Sequence, residues 1–306
     1  VHQRILLTGI NGQVGHALNQ RLAKAAMFSL GLIALDRSRL DLTNHDQLRQ
    51  AIKHFKPDVI INPAAYTAVD KAESESELAY AINADAPRVL AEEAVKVGAR
   101  LIHFSTDYVY AGTKQSPYTE EDETAPLSIY GKSKLAGEEA ILTSGASHLI
   151  FRTSWVYGVY GNNFLKTILR LAKERDSLRI VADQVGAPTS SQSIADAILQ
   201  VLVQITDKNV ESKSGVYHLV NAGETSWHGF ATAIVEEYSK LQAEQGWGML
   251  KVTPASIQQI TTAEYPTPAV RPANSRLDCS KLASDFSIRL PEWREALVME
   301  LQQLTA

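Results

Sequence analysis

Directly after the apolar run Arg4-Ile5-Leu6-Leu7-Thr8 the chain reads Gly9-Ile10-Asn11-Gly12-Gln13-Val14-Gly15 and enters a segment of helical period. Three glycines at the junction of a strand and a helix restrict the fold, because each answers a different steric demand. Gly9 permits the tight turn, Gly12 lets a pyrophosphate approach the backbone, and Gly15 allows helix and strand to pack closely. An anion bound there lies at the positive end of the helix, beside N–H groups that have no partner within it. The loop predicts a dinucleotide-binding βαβ unit, with Asn11, Gln13 and Val14 in the same turn as further cofactor contacts.

The first half of the chain repeats this alternation. Short runs at Leu32-Ile33-Ala34-Leu35, Asp58-Val59-Ile60-Ile61-Asn62 and Leu101-Ile102-His103-Phe104-Ser105 read as strands, and helical patterns lie near 13–25, 44–54, 75–97 and 128–143. The expected fold class is α/β, a doubly wound parallel sheet of Rossmann type. Further strands are expected at 148–153, 178–182 and 215–220, with helices near 163–174, 190–205, 227–240 and 291–304. Between Gly246 and Leu277 stand four of the eleven prolines, at 254, 266, 268 and 272, which argues against regular helix and for a smaller mixed lobe. The expected division is a dinucleotide-binding domain over 1–154, joined by the strands near 178–182 and 215–220. Residues 155–177 and 222–306 would form mainly the C-terminal substrate lobe.

Charge and cysteine usage exclude several functions. Lysine and arginine number 30 against 34 aspartate and glutamate, a net charge of −4, so there is no cationic excess to displace counterions from nucleic acid. The single cysteine, Cys279, cannot form an internal disulfide, and the eight histidines show no zinc-site spacing, so no metal centre is expected. No apolar run reaches membrane-spanning length and no signal peptide is visible, which together predict a cytoplasmic protein that is not a membrane partner.

Asp36 stands at the end of the second strand, where a carboxylate accepts hydrogen bonds from the adenosine ribose hydroxyls of NADH. Arg37 and Arg39 follow, and an arginine there can hold the additional phosphate of NADPH. Both cofactors remain open. Tyr130 and Lys134 in Tyr130-Gly131-Lys132-Ser133-Lys134 are four residues apart and share a helix face. They follow the strand ending Ser105-Thr106-Asp107-Tyr108, whose carboxyl end belongs at the cofactor cleft. A tyrosine titrating at about 10 exchanges a proton with a carbonyl or alcohol oxygen efficiently only when a neighbouring ammonium lowers its pKa. Lys134 supplies that charge, and the Thr106 hydroxyl can donate to the same substrate oxygen.

These residues resemble the extended short-chain dehydrogenase/reductases over essentially the whole chain, and within them the dTDP-4-dehydrorhamnose reductase family. The resemblance is carried by Asn62-Pro63-Ala64-Ala65-Tyr66-Thr67-Ala68-Val69-Asp70-Lys71-Ala72-Glu73, Ser105 to Tyr110, Phe151-Arg152-Thr153-Ser154-Trp155-Val156-Tyr157 and Gly161-Asn162-Asn163-Phe164. Asp183-Gln184-Val185-Gly186-Ala187-Pro188-Thr189 and Arg271-Pro272-Ala273-Asn274-Ser275 complete it. It implies reduction of the 4-keto group of dTDP-4-dehydro-L-rhamnose with hydride from NADPH or NADH. It also implies cofactor contacts at Ala64, Ala65 and Thr67, and at Asp41 and Leu42 near the adenine. Val69, Thr106, Asp107, Tyr108, Tyr130 and Trp155 would surround the sugar. Arg271 suits a nucleotide phosphate or is a plain surface arginine. Independently of the resemblance, Trp155 at a strand end offers a flat apolar wall for a deoxysugar, or a residue of domain-packing core.

The departures from the family pattern also carry expectations. Pro63 replaces an alanine and removes one backbone donor. Dimeric relatives place metal-binding glutamates where this chain has Ala17 and Gln192, and neither can replace a carboxylate for a hard cation. A monomer is therefore expected, whatever Glu300 does. A 4,6-dehydratase would carry glutamate after Asp107, and here Tyr108 stands there. Another 4-ketosugar reductase, a 4-epimerase, or a non-catalytic NADP-binding regulatory subunit resembling that of methionine adenosyltransferase stay as alternatives.

Overall fold

The computed structural model describes residues 3–25, 31–206 and 213–304, so the outermost residues of the expected domains, 1–2 and 305–306, lie outside the described residues. Its central sheet consists of β1 (Ile5–Leu7), β2 (Leu32–Ala34), β3 (Val59–Asn62), β4 (Arg100–Thr106), β5 (His148–Thr153) and an edge strand, Gly215–His218. All neighbours are parallel, in the order β2-β1-β3-β4-β5 and then the edge strand. The chain moves outward in one direction from β1 and in the other from β3, which opens a crevice at the carboxyl ends between them.

Near-continuous apolar runs make these strands suitable for a sheet covered on both faces. On one face, helices Gln13–Lys24, Ser191–Thr206 and Ser280–Phe286 bury Leu18, Ile198 and Leu282 against Leu7 and Ile61. On the other, His45–Phe55, Ala86–Val97 and Ile129–Thr143 bury Ile52, Leu90 and Ile141 against Leu6 and Ile60. Helix Ser280–Phe286 thus packs with the central sheet although it lies within the stretch expected to form the substrate lobe.

A third core holds the smaller lobe together, where helices Phe164–Glu174, Trp227–Gln245 and Trp293–Leu301 bury Ile168, Phe230, Ile234 and Leu297. Short strands link this lobe to the sheet: Val156–Tyr157 pairs with Thr189–Ser190, and Val185–Gly186 lies between Thr225–Ser226 and Asn274–Ser275. The strand expected at 178–182 forms as Leu178–Val181, but it pairs with Ile257–Ile260 in a separate two-stranded sheet. Its sequence explains the difference. Arg179 alternates with the buried Leu178 and is exposed in an ion pair with Glu264, so the strand has only one apolar face and cannot enter a sheet covered on both sides.

The helix that will carry Tyr130 is fastened to β5 by a buried ion pair. Glu138 and Arg152 are 0% and 4% exposed, and Arg152 Nε donates to Glu138 Oε1 at 3.0 Å. Arg152 Nη1 also donates to the Tyr110 hydroxyl at 2.6 Å, and that hydroxyl meets His218 Nε2 of the edge strand at 2.8 Å. Arg152→Met leaves the Glu138 carboxylate buried without its partner, with an expected loss of about 3–5 kcal/mol in urea unfolding, much of it recovered by adding Glu138→Leu. A single-variant loss below about 1 kcal/mol would show that the pair does not hold the helix.

Candidate functional site

The carboxyl ends of β1, β3, β4 and β5 border a cleft of about 680 Å³. Gly9, Asn11, Gly12, Gln13 and Val14 line it at the glycine turn. Gly9 has φ of +60°, and a β-carbon there would lie 2.6 Å from Ala64 Cβ, so the turn and the loop after β3 meet only because residue 9 is glycine. Gly15 lies behind the cleft wall, its α-carbon packed on the Gly9 carbonyl. No side chain caps helix Gln13–Lys24 and no acidic residue occupies its first turn. Its leading N–H groups and positive end therefore suit a pyrophosphate. The Gln13 side chain does more than line the turn, since its Oε1 accepts from Asn163 Nδ2 of the smaller lobe at 2.9 Å.

After β2, Arg37, Asp41 and Leu42 line the cleft, whereas Asp36 does not. Asp36 Oδ1 accepts from Ser38 Oγ at 2.6 Å, Ser38 N at 3.0 Å and Arg39 N at 3.2 Å, closing a turn on itself. The Ser38 hydroxyl above all holds this carboxyl below its ordinary pKa.

Ala64, Ala65, Thr67 and Val69 form the wall after β3. Their loop is braced by Asn83, a residue with no sequence signal. Asn83 Oδ1 accepts from Tyr66 N at 2.8 Å, and Nδ2 donates to Tyr66 O and Ser133 Oγ, both at 3.0 Å. Asn83 lies in a π-helical stretch, Ala81–Asp85, between Ser76–Tyr80 and Ala86–Val97. Pro87 follows it and has no N–H to give the Asn83 carbonyl, and Gly137 packs against that carbonyl instead.

Thr106 ends β4, and Asp107-Tyr108-Val109 turn after it. Ser128 caps helix Ile129–Thr143 by accepting from Gly131 N at 3.1 Å. A β-carbon on Gly131 would lie 2.3 Å from the Tyr108 carbonyl, so glycine there sets the helix directly on the turn. Tyr130 and Tyr108 then meet edge to face, and the Tyr130 hydroxyl is hydrogen-bonded to Thr106. The Thr106 hydroxyl also donates to Asp107 Oδ1 at 3.1 Å. Lys134, one turn on, is 2% exposed and donates to the Phe104 carbonyl at 2.6 Å.

Burial separates the charge behaviour of these groups. It pushes Tyr130 up to about 12, Lys134 down to about 8, and the Asp107 carboxyl up to about 6. Burial thus outweighs the lowering expected from Lys134, and near neutral pH the tyrosine keeps its proton while the lysine is mainly an ammonium. Such a set can give a proton to an oxygen seated beside Thr106 and Tyr130.

Trp155 lines the cleft opposite and stacks on Trp227 with ring centroids 3.7 Å apart. Its φ of +49° is strained for a bulky residue, of order 1–2 kcal/mol. Gly186 makes room for its ring. Trp227, which also lines the cleft, was not among the residues the sequence singled out; its signal was a tryptophan following the helix cap Ser226. Arg271 does not line the cleft: its Nη1 and Nη2 donate to the two oxygens of Asp70 at 3.0 and 2.9 Å.

Among the described residues no group of three or more His, Cys, Asp or Glu side chains could hold a metal. Ala17 is buried in the core, and Glu300 accepts from Ser190 Oγ at 2.6 Å and Val159 N at 3.2 Å. Among the described residues no helix is long and apolar enough to cross a membrane.

A family model described as RmlD substrate binding domain matches residues 3–306. A dTDP-4-dehydrorhamnose reductase of Burkholderia thailandensis is 45% identical over 303 residues, covering 98% of this chain and 99% of that protein. The Escherichia coli K12 protein of the same name is 43% identical over 304 residues, 98% of this chain and 97% of its own. The crystal structure of a dTDP-4-dehydrorhamnose reductase from Bacillus anthracis in complex with NADP superimposes with a TM-score of 0.88 at 36% identity, covering 99% of this chain and 100% of that one.

The contact beneath Tyr130 is directly testable. Gly131→Ala forces a β-carbon onto the Tyr108 carbonyl, with an expected stability loss of about 1–3 kcal/mol in urea unfolding. Unchanged stability would show that the helix does not rest on that turn.

Proposed function

The chain belongs to the RmlD substrate binding domain family, and from that premise we propose that it reduces the 4-keto group of dTDP-4-dehydro-L-rhamnose to give dTDP-L-rhamnose. The observation that carries this reading is the placement of Thr106, Tyr130 and Lys134 on one cleft beside an uncapped helix end behind a glycine turn. The central sheet and its helices would hold the cofactor, and the lobe built on Trp227–Gln245 would hold the sugar nucleotide.

The cleft suits a nicotinamide dinucleotide. Gly9, Asn11, Gly12, Gln13 and Val14 would hold its pyrophosphate, Asp41 and Leu42 its adenine, and Ala64, Ala65 and Thr67 its middle. When bound, it supplies the hydride. Thr106 would turn its hydroxyl from Asp107 to the keto oxygen, and Tyr130 would give that oxygen its proton. The Lys134 ammonium would then stabilise the tyrosinate that remains. Val69, Asp107 and Tyr108 would border the sugar and Trp155 would cover a face of it, its strained backbone held by the stack on Trp227. Arg271, held by Asp70, would shape the sugar-nucleotide side from outside the cleft.

NADPH and NADH both fit. The Asp36 carboxylate, turned onto Ser38 and Arg39, would have to swing to meet the ribose hydroxyls of NADH, while Arg37 lines the cleft and would hold a 2′-phosphate of NADPH. Arg37→Ala is expected to raise KM for NADPH about tenfold and leave that for NADH nearly unchanged. Equal changes for the two cofactors would remove Arg37 from phosphate recognition.

The reaction itself is tested by following NADPH and NADH oxidation in separate mixtures with dTDP-4-dehydro-L-rhamnose generated in place, omitting this protein as control. Oxidation that depends on this protein, with dTDP-L-rhamnose as product, supports the reading. Tyr130→Phe is expected to lower turnover by at least ~10²-fold while cofactor binding persists. Turnover near that of the unaltered protein would overturn the assignment of Tyr130 as proton donor.

A further inference from the structure

A line of polar side chains interrupts the apolar face beneath Lys134. Thr8 directly follows β1, Asn62 ends β3 and His103 stands in the middle of β4, on three neighbouring strands, and Asn62 and His103 are direct cross-strand partners. Two residues earlier on each strand, the same face carries Leu6, Ile60 and Leu101, all in the apolar layer. Thr8 is 1% exposed and Asn62 and His103 are 0% exposed, so each must find its partners within the protein. Thr8 Oγ1 donates to Asn62 Oδ1 at 2.7 Å, Asn62 Nδ2 meets His103 Nδ1 at 3.2 Å, and His103 Nε2 meets Lys134 Nζ at 3.2 Å.

We propose that His103 is a positioning residue for Lys134, its imidazole presenting Nε2 as an acceptor to the ammonium and exchanging tautomer, together with a turn of the Asn62 amide, when that charge is lost. The proposal rests on the reading of Lys134 as the ammonium that serves Tyr130.

The donor inventory requires this coupling. Burial and the neighbouring lysine hold the His103 imidazole well below its ordinary pKa, so it is neutral and only one ring nitrogen bears hydrogen. An ammonium has three donors and no acceptor. Facing it, Nε2 must offer its lone pair, Nδ1–H must donate to Asn62 Oδ1, and the Asn62 amide must donate to Thr8. Facing a neutral amine, Nε2–H donates to Lys134, and Nδ1 accepts from the Asn62 amide, whose oxygen accepts from Thr8. The Asn62 amide stands in the orientation of the second arrangement, Oδ1 toward Thr8 and Nδ2 toward His103, and half a turn that exchanges its oxygen and nitrogen gives the orientation of the first.

Among the described residues no other group facing Lys134 is free to do this. Glu138, one turn along the same helix, is bonded to Arg152 of β5. Asp107, after β4, acts on Tyr130. The Phe104 carbonyl accepts one hydrogen and cannot adjust. An acceptor at Nε2 favours the charged lysine, so its removal lowers the pH at which the ammonium is lost.

Two measurements test this. In unliganded protein labelled with ¹⁵N-histidine, the His103 resonances, identified by their absence in His103→Gln, should pass from the Nδ1–H to the Nε2–H tautomer as pH rises from about 6 to 10. They should lose this response in Lys134→Met. A single tautomer across the range, or a change that persists without Lys134, overturns the proposal.

In turnover, His103→Leu should move the alkaline fall of kcat about one pH unit lower with KM for the cofactor nearly unchanged, and His103→Gln should restore part of the shift. An unmoved pH limb in an active His103→Leu protein overturns the proposal; if that variant does not fold, the tautomer measurement on the unaltered protein decides. Absence of turnover in the unaltered protein would count against the proposed reaction, whereas the tautomer measurement would still decide the role of His103.

Discussion

Glu138 and Arg152 meet where water does not reach, and their contact joins the helix bearing Tyr130 and Lys134 to β5. Two charges removed from water are stable there only as a pair, so the helix cannot slide along the sheet without separating them. The Tyr110 hydroxyl and His218 extend the attachment to the edge strand, and Gly131 closes the other end of the helix on the Tyr108 carbonyl. Tyr130 adjoins Gly131 and is held to Thr106, and Lys134 lies between the two fixed points, beneath the cleft.

The same exclusion of water gives the cleft its chemistry. Tyrosine, lysine and aspartate lie within a few residues of β4 or the capped helix, yet burial moves them in directions set by their charge types. The tyrosine keeps its proton, the ammonium becomes easier to lose, and the Asp107 carboxyl becomes easier to protonate. An ammonium near its own titration point is sensitive to each hydrogen bond it makes, and the polar line through His103, Asn62 and Thr8 ends on this one.

The smaller lobe is joined to this frame by contacts between residues far apart in the chain. Asn163 reaches Gln13 at the glycine turn, Trp155 leaves β5 in a strained conformation to stack on Trp227, and Arg271 closes on Asp70 beside the loop after β3. Each contact links a cleft-lining segment to an element of the other half. The two halves therefore shape one opening, with the side at the glycine turn built on regular strands and helices and the side proposed for the sugar on short strands and loops.

Features that depend on neighbours along the chain were legible in the sequence: the glycine turn, the parallel αβ alternation and the shared helix face of Tyr130 and Lys134. Their geometry follows from backbone sterics and from the fixed periods of strand and helix. Features set by long-range pairing were not. Leu178–Val181 chose Ile257–Ile260 because Arg179 denied it a second apolar face, and Asp36 folded onto Ser38 and Arg39 rather than lining the cleft. Arg271 found Asp70 across 201 positions, while Trp227 and Asn83 gained their places only when packing brought them to the cleft and its supporting loop. The sequence by itself determined the class of fold and the residue types available for proton donation beside a dinucleotide loop. The tertiary structure alone decided which side chains lose water and which charges meet, because burial and long-range contact are properties of the packed chain.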